Sequence, residues 1–81
     1  MTREEIIDIL TPMARKIFEK EDLVITDDLS AENVDAWTSL SFTQFLTAIE
    51  EEFHIKFKIM DILTLQNMGA IIDAIEIKTK S

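Results

Sequence analysis

The side chains able to do covalent or acid–base chemistry are few and scattered. His54 is the single histidine, and there is no cysteine. General acid–base catalysis needs a partner group placed within hydrogen-bond reach. A lone imidazole in a polar stretch reads instead as a solvated connector residue. Without cysteine there is no disulfide, no thiolate metal site and no thiol nucleophile. Glu50-Glu51-Glu52 has the composition of a cation site. Successive helical residues point ~100° apart, however, so these carboxylates cannot converge on one ion. Asp27-Asp28 lacks the alternating ligands and central glycine of a calcium loop. Gly69 is the only glycine, which excludes a glycine-rich phosphate cradle. These residues predict no metal site and no enzyme; they fit a chain that binds or carries.

Several elements must position whatever the chain carries. Thr2-Arg3-Glu4-Glu5 has the form of a capping box, with Thr2 at the N-cap and Glu5 at N3. Ile6, Ile7, Leu10, Met13, Ala14, Ile17 and Phe18 follow at helical spacings. Pro12 falls inside this pattern, where it removes a backbone donor and crowds the preceding turn. The apolar phase continues across it, which predicts one bent helix. The alternative is a split at Thr11-Pro12, with proline opening a second helix.

From Lys20 to Thr38 no helical period survives. This stretch predicts a long loop that drops Leu23, Ile25, Leu29 and Val34 onto a core, with a helical turn around Ser30–Asn33. A second helix opens near Ser39, capped by Thr38 or by Ser39. Phe42, Phe45, Leu46, Ile49 and Phe53 share its inner stripe, while Leu40, Gln44, Thr47 and Glu51 lie opposite. Residues 54–59 alternate polar and apolar, but a lone strand has nothing to pair with. An extended connector is expected, with Ile55 and Phe57 inward. Ile59–Leu63 forms a short helix. Asn67 caps a last one, striped by Met68, Ile71, Ile72 and Ile75. The expectation is an all-α bundle in a single domain over residues 1–81.

Composition bounds the partners. The 81 residues are 47% hydrophobic, enough for one small core. Sixteen acids face eight Lys and Arg, for a net charge of −8. Residues 1–52 hold 13 of those acids and 4 of the bases. Nucleic acid binding runs on clustered Lys and Arg, so the charge argues against nucleic acid and anionic membrane as partners. A charge-steered partner presents a basic face. No apolar run approaches bilayer length, and Met1-Thr2-Arg3-Glu4-Glu5 carries no apolar leader core. A cytoplasmic monomer is expected.

Val34-Asp35-Ala36-Trp37-Thr38-Ser39-Leu40-Ser41, followed by Phe45-Leu46-Thr47-Ala48-Ile49-Glu50-Glu51-Glu52-Phe53, resembles the acyl carrier protein family. That family carries Asp-Ser-Leu at the start of its second helix, often after a tryptophan, and closes the helix on a Leu-Glu-x-x-Phe pattern. Here Thr38-Ser39-Leu40 stands at the first motif and Ile49 to Phe53 at the second, with the family's spacing. Leu65-Gln66-Asn67-Met68-Gly69-Ala70-Ile71-Ile72 looks like the capped start of the family's last helix. The region from Thr26 to Leu40 is more similar to stand-alone carriers of specialised pathways than to the main fatty-acid carrier.

The resemblance implies a four-helix acyl-carrier-like bundle with a long loop between helices 1 and 2 and a short third helix. It implies a 4′-phosphopantetheine arm on Ser39, taken from coenzyme A. The arm's thiol would hold an acyl or aminoacyl group as a thioester. Implied partners are a phosphopantetheinyl transferase and the enzymes that load and unload the cargo. The expected docking face is Leu40, Thr43, Gln44, Thr47, Glu50 and Glu51, with Ile59 and Met60 beside it; for the last two, core filling is the alternative. The chain departs from the family at Thr38, where the aspartate that helps the transferase and its magnesium is missing. Asp35 is the acid three residues upstream. Ser41 and Gln44 replace acids of many carriers, and Lys56 and Lys58 make the third-helix region basic. Thr38 motivates an alternative, an unmodified interaction module that keeps the fold. Trp37 is expected to anchor the loop by packing.

Overall fold

The computed structural model describes residues 1–80, which form four helices. They are α1 (Arg3–Ile17), α2 (Ser39–Phe53), α3 (Ile59–Ile62) and α4 (Met68–Thr79). The all-α expectation holds, with the long loop and the short third helix where the sequence put them.

Helix α1 starts on the capping box read from its sequence. The Glu5 amide donates to Thr2 Oγ1 at 3.1 Å, and the Thr2 amide donates to Glu5 Oε1 at 2.8 Å. The helix runs unbroken through Pro12, so the split does not occur. Ile6, Leu10 and Ala14 are fully buried on one face, and Phe18 continues it from the C-cap.

Helix α1 packs on both α2 and α4. Helix α2 contributes Phe45, Leu46 and Ile49 to the shared core, and α4 contributes Met68, Ile71, Ile72 and Ile75. Each such side chain, fully buried, stabilises the fold by about 1.5–3 kcal/mol. The long loop is not a spectator. Leu23, Ile25, Val34 and Trp37 are buried in the core, and Leu29 packs against it. The turn after Ser30 forms, with the Val34 amide donating to the Ser30 carbonyl at 3.0 Å. Ile55 and Phe57 of the extended connector also pack inward.

The loop is clasped to the start of α4. The amides of Met68 and Gly69, at the start of α4, donate to the carbonyls of Leu29 (2.8 Å) and Asp27 (2.9 Å). A Cβ on Gly69 would lie 3.0 Å from the Asp27 carbonyl oxygen, so only glycine allows this approach without a shift. Arg3 joins the same junction, donating to Asp27, to Asp73 at 2.7 Å and to Glu76 at 3.2 Å. One side chain from α1 therefore ties the loop to α4.

Candidate functional site

Thr38 and Ser41 set the entrance of α2. Thr38 has extended backbone geometry, and its Oγ1 accepts from the Ser41 amide at 3.2 Å. In return Ser41 Oγ accepts from the Thr38 amide at 2.8 Å and donates to the Ala36 carbonyl at 2.6 Å. Ser41 is thus the third-position member of a capping box that uses serine where glutamate is common. It is buried, so the position where many carriers have an acid here serves the cap. The spacing Thr-x-x-Ser was its sequence signal.

Trp37 holds the loop side of this entrance. Its ring stacks on Phe18 at 4.9 Å and 12°, and on Phe42 at 5.9 Å and 17°. The packing role expected of Trp37 is its observed one.

Between these fixed neighbours Ser39 occupies the first helical position and is exposed. Its carbonyl accepts from Thr43 Oγ1 at 2.8 Å, while its hydroxyl makes no hydrogen bond among the described residues. The amides of Ser39 and Leu40 are likewise without a partner there, as the first amides of any helix are. No acid stands in the first turn of α2. A free hydroxyl, free amides and the positive end of the helix dipole all favour a phosphate ester at this point.

The model of a family described as "Phosphopantetheine attachment site" matches residues 9–75. The chain belongs to the acyl carrier protein family. It is similar to the holo acyl carrier protein from Geobacter metallireducens, whose solution NMR structure shares 35% identity over 89% of this chain and 83% of that chain, with a TM-score of 0.83. No curated protein matches the chain.

The carrier is therefore not an enzyme, and its prosthetic group is covalent 4′-phosphopantetheine. The residues around Ser39 fit that group, which when bound supplies the thiol that the cysteine-free chain lacks. A covalent prosthetic group stands against the alternative of an unmodified interaction module.

The structure brings most of the expected docking residues to the surface. Leu40 is 69% exposed, and Thr43, Gln44, Thr47 and Glu51 are exposed along α2. Ile59 and Met60 are 80% and 74% exposed, so core filling is excluded for both. Thr43 and Thr47 turn their hydroxyls back onto the Ser39 and Thr43 carbonyls, at 2.8 and 3.0 Å. Glu50 differs from the rest of the face. It is half-buried, and its Oε2 accepts from the Phe57 amide at 2.8 Å, pinning the connector to α2.

Helix α3 depends on one carboxylate. Asp61 Oδ2 accepts from the Lys58 amide at 2.8 Å and pairs with Lys78 Nζ at 3.0 Å. The Lys58 hydrogen bond, then the Lys78 one, holds the Asp61 carboxyl below the usual carboxylate range. Lys78 also lies over the Phe57 ring, 5.9 Å from its centroid. Among the described residues no group of three His, Cys, Asp or Glu side chains could hold a metal ion. No helix there is long and apolar enough to cross a membrane.

Proposed function

We propose that Ser39 bears the arm and that the carrier presents an acyl or aminoacyl thioester to the enzymes of a specialised biosynthetic pathway. The observation that carries this reading is the exposed, unbonded Ser39 hydroxyl, set beside two free amides and within the Thr38–Ser41 capping pair. On modification Ser39 Oγ gives up its proton and bonds to the pantetheine-side phosphorus of coenzyme A; the pyrophosphate P–O bond breaks, adenosine 3′,5′-bisphosphate leaves, and the serine oxygen becomes the ester oxygen of a phosphodiester. The capping pair keeps that oxygen at the surface, and the helix dipole offsets the new negative charge. Leu40, beside it in sequence, gives partners an apolar anchor. Glu51, with the acidic loop, steers them by charge. The phosphopantetheinyl transferase and the loading enzymes meet this face with basic residues. The carrier works as a cytoplasmic monomer.

The test is intact mass after incubation with coenzyme A and a broad-specificity phosphopantetheinyl transferase. The wild-type chain gains one phosphopantetheinyl group, and Ser39→Ala gains none. A wild-type chain that stays unmodified, or a Ser39→Ala chain that is still modified, overturns the assignment.

A further inference from the structure

We propose that the segment from Lys56 to Leu63 docks a protein partner whose contact site is an apolar hollow rimmed by carboxylates. This rests on the carrier reading and deepens it, because it gives one part of the docking surface the opposite sign to the rest.

The apolar part comes from α3 being too short to have an inside. No residue of α3 is buried. Ile59, Met60 and Leu63 are 80%, 74% and 64% exposed, close together in sequence. Contiguous exposed apolar side chains of this size mark interaction surfaces more often than scattered single ones do.

The sign comes from which charges are already occupied. Asp61 is the one acid of the segment, and it is engaged by the Lys58 amide and by Lys78. Lys56 and Lys58 are exposed and make no ion pair among the described residues. The segment therefore shows two unpaired ammonium groups beside an apolar knob, on a chain whose net charge is −8. A uniformly basic partner would be repelled here, since charges interact over roughly 8 Å at physiological salt. Anionic lipid is disfavoured by the acidity of the rest of the small chain. Carboxylates around an apolar pocket complement both features.

The change of sign is abrupt. Glu51 and Lys56 line one surface depression, with Thr47, His54 and Ile55. A partner covering it must place a basic group and an acidic group side by side. Such alternation fixes register and rejects partners of a single sign.

The experiment uses the isotope-labelled full chain carrying Ser39→Ala, so that it does not depend on modification. Two synthetic helical peptides share a leucine stripe; one is flanked by glutamates, the other by lysines. The glutamate peptide is expected to shift the amide resonances of residues 56–63, more weakly as salt is added. Lys56→Glu with Lys58→Glu, folded by circular dichroism, is expected to weaken that binding roughly fivefold. The inference is overturned if the lysine peptide binds the segment as well, if the glutamate peptide leaves it unshifted, or if the double variant binds unchanged. Binding of phosphatidylglycerol vesicles through these lysines would assign the segment to lipid and overturn it too. Failure of Ser39 modification would show in the mass experiment alone.

Discussion

Ser41 Oγ stands 2.8 Å from the Thr38 amide and donates to the Ala36 carbonyl at 2.6 Å, joining the loop to α2 across the residue that carries the free hydroxyl. Ser39 is bracketed by these bonds on both sides, and its own hydroxyl makes no hydrogen bond among the described residues.

Ser41→Ala removes this bond set from a buried position. The Thr38 amide and the Ala36 carbonyl lose their side-chain partner. A stability loss of about 1–2 kcal/mol is expected, read by urea denaturation. Modification of Ser39 should also slow, because the helix entrance frays. Unchanged stability would show that water replaces the hydroxyl at no cost.

Thr38→Asp should keep the cap, since aspartate and threonine both serve at the N-cap. Stability should change by less than about 0.5 kcal/mol. The variant also supplies the carboxylate that the family places before its serine. Its rate of phosphopantetheinyl transfer should rise, measured by mass against time at limiting transferase. An equal or lower rate would show that the acid is not what limits modification here.

Gly69→Ala sets two effects against each other. Alanine favours the helix by about 1 kcal/mol. Its Cβ would sit 3.0 Å from the Asp27 carbonyl and 3.1 Å from Asp27 Cβ, in a loop held by the Gly69 amide and by Arg3. Overpacking of this kind costs about 1–3 kcal/mol. Net destabilisation of about 1 kcal/mol is expected in thermal or urea unfolding, and a stabilised variant would show that the loop yields freely.

Asp61 makes the seating of α3 acid-sensitive. Its carboxyl titrates below its unfolded value, so its contribution is fully present above the unfolded pKa and is lost as pH falls through the folded one. Amide resonances around Lys58 should shift during that acid titration, before global unfolding. In Asp61→Asn this step should vanish. A step that persists in the variant would place its origin elsewhere.

Much of this molecule was legible in its residues. Caps are local, so Thr2 with Glu5 and Asn67 could be read directly and Thr38 as one of two candidates with Ser39, and each is observed. Apolar period is local too, so the stripes of α1, α2 and α4 were found in register. What could not be read arises where distant segments meet. Arg3 reaches Asp27, Asp73 and Glu76 across 24, 70 and 73 residues, and no spacing rule announces that. Glu50 read as a free surface acid because a helical wheel does not show the connector returning to it. The role of Ser41 in the cap was not read, because serine is an uncommon third member of a capping box. Ile59 and Met60 were open between core and surface, since the period of a four-residue helix defines no face.

The stacking of Trp37 between Phe18 and Phe42 has an optical consequence. It is the chain's one indole and there is no tyrosine, so near-ultraviolet emission reports from a single place, two residues from the serine hydroxyl. Any event that loosens that corner, whether thermal melting, arm transfer or engagement by another protein, can be followed by emission from the unlabelled polypeptide.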